Sequence, residues 1–424
     1  MPDFSSLSAT LDQLIPRTAR SLRKSLGATA APRLLVSSGS AAPALHIDIR
    51  QTTVETSERG HLHDQGQYLA RQEKWAELGE LIRLLDQHRA RIPSGRPASE
   101  IMSLGARADM SRAACASIAR GDTLVVDALM TDLHAILDEH SCDHGLAQVV
   151  AMMHVDIGWA WRGEGWSQDI PPDRRGAFHA HFRQAARILD GFSAFELDAP
   201  MLAAARCALL PAEADPKRRI VDDYDDLIEM DNANPFALRS LGVHLLPRWF
   251  GSYDQVRDTA TEMAHRLQED WGTGGYAWVW FDALALDPEA FAWLDARAYI
   301  RGLRDILAHQ GNQHMVNLIA AHLAVTHANA RSIAPPADLT RRHVCTLLDA
   351  VLRDHLQEVH PLIWAAAADP FGQHPTLANM GSVLKQGQAL ALSVLGQHFA
   401  RDLEAGRVVR FDREGLSIAA GAGG

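Results

Sequence analysis

The chain of 424 residues has little cysteine and no long apolar run, and each shortage removes a class of protein. Its four cysteines stand at 115, 142, 207 and 345. They are too scattered for a Cys-x-x-Cys redox pair or a four-thiolate zinc site and too few to cross-link a chain of this size. They are therefore expected as small buried hydrophobes in a reducing compartment. No stretch approaches the roughly 18 uncharged apolar residues of a membrane span; the best candidate, Gly274 to Leu286, is short and interrupted by Asp282. The N-terminal segment carries Asp3, lacks an apolar run of secretory length, and places Arg17, Arg20, Arg23 and Lys24 late. Export is not expected, and a cytoplasmic location is.

Positive charge is also in deficit. Forty-one Lys and Arg against 52 Asp and Glu leave a net charge of -11, so neither nucleic acid nor an anionic membrane is an expected partner. Catalytic signatures are scarce as well. There is no Gly-x-Ser-x-Gly, and Gly272-Thr-Gly-Gly275 has neither the lysine nor the preceding strand of a phosphate-binding loop. No cysteine sits in an obvious thiolate-stabilising setting. Nucleophilic catalysis thus lacks a visible anchor, and no cofactor is expected.

What is present is an ordinary globular composition, 47% hydrophobic and 22% charged, with enough apolar residues to build a core. From about Leu62 to Phe399 the apolar residues recur at three and four positions. Trp75, Leu78, Leu81, Ile82 and Leu85 form one stripe, opposite Glu77, Glu80, Arg83 and Asp86. Val344, Leu347, Leu348, Val351 and Leu352 form another. Short breakers such as Pro93 to Pro97, Gly121-Asp122, Pro171-Pro172, Asn234-Pro235, Pro335-Pro336 and Pro370 to Gly372 separate such segments into roughly a dozen helices. Alternation marks two exceptions: one strand within Leu45 to Thr53, and a hairpin of Arg407 to Phe411 with Leu416 to Ile418 across Asp412 to Gly415. Helical hairpins recurring at about 35 to 45 residues suit a solenoid better than a bundle. The expected fold is all-α, an irregular α-solenoid of antiparallel helix hairpins with minor β at the N-terminal segment and the C-terminal hairpin. The expected division is 1–60 irregular, 61–210 and 211–403 helical arrays, and 404–424 hairpin and tail.

One segment goes beyond periodicity. Asp231 to Gly242, followed by Leu245 to Val256 and on to Ala264, resembles a tetratricopeptide repeat: Leu241-Gly242 stands at the Leu-Gly of the first helix, Tyr253 near the entry of the second, and Ala260 and Ala264 at close-packing positions. The connecting turn is about three residues too long for the repeat, and Val256 replaces its usual alanine. Within that turn, Pro247-Arg-Trp-Phe-Gly-Ser252 is similar to the Pro-Arg-Trp-Gly-Gly-Ser signature of a bacterial tetratricopeptide-like family, with Phe250 in place of a glycine. A fainter echo runs from Gln65 through Tyr68 and Trp75 to Leu78. The resemblance implies a helical-repeat protein that binds a protein or peptide partner without catalysing a reaction.

Six residues are candidates for binding. Asp156, Trp159 and Arg162, at spacings of three, would line one edge of a helix as carboxylate, indole and guanidinium, within the unusual run His154 to Trp166. They could floor an aromatic and ionic pocket, or tie a helix into the core through a buried charge pair. Arg248 and Trp249 sit in the long turn, where a loop held between helices can present them. Trp278, in the aromatic run Tyr276 to Phe281, could line a groove or fill the core. The competing enzyme reading is a metal-dependent hydrolase or oxygenase using His140, His144, His154 and Asp156, since His140 and His144 would share a helical face. A small-molecule sensor with a cavity beside Trp159 and Arg162 is the third reading. The acidic run Asp222 to Asp231 reads as a solvated helix face.

Overall fold

The structure, a computed structural model, describes residues 44–121, 123–163, 169–330, 334–370 and 379–421. The expectations for the first 43 residues, for Glu164 to Trp166, for Phe371-Gly372 and for the last three residues lie outside these. The chain is predominantly helical with few strands, and among the described residues no helix is long and apolar enough to cross a membrane. It divides into two compact units, one of residues 55–255 and the other of 44–54 with 256–421. The boundary therefore falls near 255. The sequence-based division at 210 and 211 cuts through the first unit, between two helices that pack together.

In the first unit the helices are α1 (Val54–Arg71), α2 (Trp75–Gln87), α3 (Ala98–Arg120), α4 (Leu124–Glu139), α5 (His144–Arg162), α6 (Pro172–Leu189), α7 (Pro200–Cys207), α8 (Pro216–Met230) and α9 (Pro235–His244). α5 is the centre. Val149, Val150, Met153, Val155 and Ile157 spread apolar surface over its whole circumference, and it is buried from Gly145 to Trp159. A helix without a polar face has to be covered on all sides, and α2, α3, α4, α6 and α7 all pack on α5. Its start is fixed by Asp143, whose Oδ1 accepts hydrogen bonds from Gly145 N at 2.9 Å and Leu146 N at 3.1 Å. α1 and α3 approach through glycine: a Cβ on Gly66 would land on the Met102 carbonyl oxygen, and one on Gly105 on that of His63.

In the second unit β1 (Leu45–His46) pairs in parallel with β4 (Arg407–Asp412), which pairs antiparallel with β5 (Gly415–Ala420). β2 (Asp48–Ile49) pairs in parallel with β3 (Glu358–Val359), and Arg50 seals that pairing with an ion pair to Glu358 at 3.0 Å. The strand expected to stand alone is thus paired with segments more than 300 positions away. The helices are α10 (Tyr253–Arg266, from Val256 onward), α11 (Gln268–Trp271), α12 (Gly274–Leu286), α13 (Ala296–Gln310), α14 (Gln313–Ala321) continuing into a π-helical turn at His322–His327, α15 (Pro335–Cys345), α16 (Leu348–Asp354), α17 (Pro361–Ala368), α18 (Met380–His398) and α19 (Ala400–Glu404). α12 carries Tyr276, Trp278, Trp280 and Phe281, all buried. Asn317 on α14 ties the loop around β3 in place. Its Oδ1 accepts from His360 N and Trp364 Nε1, both at 2.9 Å, and its Nδ2 donates to the carbonyls of Gln313 at 2.8 Å and Glu358 at 2.9 Å.

Candidate functional site

The first unit contains a small cleft, about 80 Å³ and partly open to solvent, between the start of α3, the middle of α5, and α7 to α9. Its apolar wall includes Met152, Met201, Ala205, Leu227 and Phe236; its polar groups include Asp86, Arg96, Arg107, Gln148, Tyr224 and Ser240. The mixed lining, apolar walls with a few convergent polar groups, is of the kind that receives a small organic molecule.

The polar groups come from identifiable local causes. α3 is buried along its first half, Ala98 to Ala108, yet Ser99, Ser103 and Arg107 recur there at intervals of four, so one strip of an enclosed helix face is polar. Arg107, 1% exposed, is neutralised by Asp156, its Nε donating to Oδ2 at 2.7 Å. Its Nη1 donates to Ser103 Oγ at 2.8 Å, and Ser103 Oγ donates to Gln148 Oε1 at 2.6 Å. Asp86 accepts from Ser99 Oγ and from Met201 N, both at 3.2 Å; burial outweighs these bonds and pushes its carboxyl up to about 6. Asp231 is bound by Arg91. Tyr224 OH lies 3.1 Å from His244 Nδ1. Cys207 also lines the cleft, and burial raises its thiol well above the ordinary range, so it is not poised as a thiolate.

Arg96 differs from all of these. It is 2% exposed, yet its Nε and Nη1 have no hydrogen-bond partner among the described residues. Its ionic neighbour is Glu100, with Nη1 to Oε1 at 3.7 Å, beyond hydrogen-bonding distance. The guanidinium lies over the Phe236 ring at 4.7 Å, and Arg239 approaches the same ring at 5.0 Å. A tight loop pins it: Arg91 and Pro97 form an antiparallel bridge, Ile92 N donates to Arg96 O at 3.2 Å, and Gly95 adopts φ 85°. That positive φ favours glycine.

The six residues proposed from sequence do not form one site. Asp156 stands behind the cleft as a partner of Arg107. Trp159 is buried against Phe178 and Phe182, with ring centroids at 5.2 and 5.9 Å, and Arg162 covers its ring at 5.6 Å. Neither Trp159 nor Arg162 lines the cleft. Arg248 is exposed; Trp249 is half-buried beside His244 and Phe250. Trp278 is fully enclosed in the second unit, against Trp271 at 5.7 Å and Phe281 at 5.3 Å. Its indole therefore lines no groove, because α12 is covered on both faces.

The histidines proposed as metal ligands go to different places. His140 follows the last turn of α4, and His144 packs on Phe192. His154 is the middle of a histidine row, with Nε2 2.9 Å from His134 Nε2 and Nδ1 2.9 Å from His181 Nδ1. Burial, then the His181 and His134 charges, lower its pKa to about 3. Three neutral rings satisfy both contacts if each contributes one N–H. Among the described residues no group of three or more His, Cys, Asp or Glu is arranged to hold a metal ion.

Sequence reasoning reached Asp156 and passed over Arg96, Arg107 and Tyr224. The interval-of-four polar strip on α3 was the available signal for Arg107. Arg96 lay in a segment read only as a breaker, Pro93 to Pro97. No family model, no curated protein and no solved structure matches the chain.

Proposed function

We propose that the protein is a binding protein, without covalent chemistry of its own, whose first unit holds a small molecule in the cleft beside Arg96. The observation that carries this reading is the Arg96 guanidinium, buried with two nitrogens unbonded on a residue that lines the cleft. A buried donor without a partner is costly, and the cost is removed when something arrives to accept from it. The enclosed, highly raised Cys207 thiol supports binding over nucleophilic catalysis. A thermal-shift screen of small polar and charged compounds, with hits mapped by hydrogen exchange, tests this. Hits should slow exchange in 96–107, 200–208 and 224–240. If compounds raise the melting temperature but leave those segments unchanged, or no compound raises it, the reading fails.

A second reading concerns the turn after α9. Arg248 is exposed at this turn and Trp249 is half-buried beside it. This supports a role for the turn in capturing a protein or peptide, as does the resemblance of residues 231–264 to a tetratricopeptide repeat. Leu241 and Gly242 are buried in α9, and Tyr253 opens α10, in keeping with such a unit within an irregular, solenoid-like array. Replacing Arg248 and Trp249 by alanine should abolish partner capture in a pull-down from the native host while leaving cleft ligands bound; undiminished capture would remove this reading.

A further inference from the structure

We propose that the ligand of the cleft is a small organic oxyanion, its negative group held between Arg96 and the first turn of α3 and its apolar body lying against Met152, Met201 and Leu227. This deepens the reading of the cleft as a ligand site and rests on it.

The charges around the cleft decide the sign. Arg107 is answered by Asp156, Asp231 by Arg91, and Glu55, which accepts from Ser94 N at 2.8 Å, by Arg59 at 2.9 Å. Asp86 has its oxygens engaged by Ser99 and Met201 and faces the charge of Arg89. Arg96 is the group left wanting a counter-ion, since Glu100 stops at 3.7 Å. Arginine stays protonated at any ordinary pH, and its planar fork matches the paired oxygens of carboxylate or phosphate.

A second feature converges on the same place. α3 runs for 23 residues, and its N-cap residue is Pro97, which makes no side-chain cap. Pro97, Ser99 and Glu100 all line the cleft, while the Ser99 hydroxyl is turned to Asp86. Residues of the first turn of a long helix thus border the cleft with no side-chain cap, Ala98 N being bonded to Ala90 O at 2.8 Å, and the positive end of the helix dipole favours an anion there. Phe236 backs the Arg96 guanidinium as a flat plate and limits its rotation. Glu100 holds the place of the anion imperfectly when the cleft has no ligand, so it competes with the ligand for Arg96.

The test uses the full chain with ¹³C-methyl methionine and five six-carbon compounds: hexanoate, hexyl phosphate, hexanamide, hexylamine and hexanol. At least one of the two anions should shift the Met152 and Met201 methyl signals saturably, and should do so at a concentration at least tenfold below that needed for hexanamide, hexanol or hexylamine. The anion that saturates first identifies carboxylate or phosphate as the preferred head group. Arg96→Gln should weaken the anion at least tenfold and leave hexanamide unchanged. Glu100→Gln, at a side chain 22% exposed, should tighten the anion severalfold, and it keeps the test independent of whether the Arg96 variant folds. Amide or amine binding as tight as the anions, or anion affinity indifferent to both substitutions, overturns the oxyanion and leaves the cleft as a ligand site. If none of the five compounds moves the two methyls, the ligand-site reading falls, and the oxyanion with it.

Discussion

The interiors of the two units solve the burial of polar groups in different ways. In the second unit the core is aromatic, with Trp271, Trp278, Trp280, Phe281, Phe291, Tyr299 and Trp364 all essentially inaccessible. Its most enclosed amide, Asn317, makes four hydrogen bonds and has no further capacity. In the first unit Arg96, Arg107, Asp86, Asp156 and Asp231 are buried ionisable groups around a cleft, and they are matched unevenly. An amide bonded to its full capacity, as Asn317 is, holds a loop still and offers nothing to a ligand; a buried guanidinium with two unbonded nitrogens, as at Arg96, offers a place for a charge. The difference separates polar burial that shapes a fold from polar burial that shapes a site.

The largest expected effect breaks the first unit where its matching is good. Asp156→Ala leaves the Arg107 guanidinium enclosed without its carboxylate, and should cost about 4 kcal/mol of stability, read from urea unfolding. The double variant Arg107→Met with Asp156→Leu should recover most of that loss, because two apolar side chains of fitting size need no partner. If Asp156→Ala alone costs less than about 1 kcal/mol, the pair does not hold the unit together.

In the second unit Asn317→Leu strands the His360 N–H and the Trp364 indole N–H and takes a donor from the Glu358 carbonyl. The expected loss is about 3 kcal/mol, with faster hydrogen exchange confined to 356–368. An exchange pattern unchanged there would show that the four bonds follow the loop's conformation and do not fix it.

A change of pH sharpens the contrast without altering a residue. His154 has a folded pKa of about 3 and titrates near the ordinary histidine value when unfolded. The unfolded chain binds this proton more readily, so the contribution of His154 to stability is intact above about pH 6.5 and is lost progressively as pH falls toward 3. His63, His144 and His181 are lowered too, chiefly by burial, and add in the same sense. Asp86 acts oppositely: raised to about 6, it holds its proton more tightly when folded, which favours folding as pH falls below 6 toward the unfolded carboxylate value. Asp223 and Asp226, also raised chiefly by burial, act in the same sense as Asp86; the four imidazoles, whose loss begins nearer neutral pH, leave the first unit acid-sensitive between pH 7 and 5. In the second unit the comparable group is His327, lowered well below its usual value by burial. Hydrogen exchange at pH 7 and pH 5 should therefore show greater loosening in 55–255 than in 256–421, and His154→Phe should reduce that difference. Equal loosening would show that the histidines do not set it.

How much of this was legible in the sequence follows from where the signals are local. Helicity is local, and the apolar stripe of α2 and the alternation in β4 and β5 were readable from spacing alone. The partner of a strand is not local: nothing in Leu45 to Ile49 points to residues 358 and 409. Nor is the difference between a groove and a core, since Trp278 has the same spacing in either, and only the covering of both faces of α12 settles it. Asp156 was found because its neighbourhood is compositionally odd. Its partner Arg107, 49 positions away, had only the rhythm of Ser99 and Ser103 to announce it. Arg96 had less, because Pro and Gly on either side marked a turn and the turn hid the side chain.

The smallest expected effect is the one that best divides site from scaffold. Arg96 and Arg107 are the same residue type at the same depth, 2% and 1% exposed, and they differ in whether a carboxylate meets them. Methionine replaces the arginine stem with an apolar chain and removes the charge. At 107 this strands Asp156 and should destabilise. At 96 it strands no acid at hydrogen-bonding distance, frees Glu100 to turn toward solvent, and relieves a guanidinium with two unbonded nitrogens. Arg96→Met should therefore leave the ligand-free protein as stable as the parent or more stable by about 1 kcal/mol, the sign expected where function keeps a residue that folding would discard. A loss of about 2 kcal/mol or more would place Arg96 with Arg107 among the groups that hold the fold.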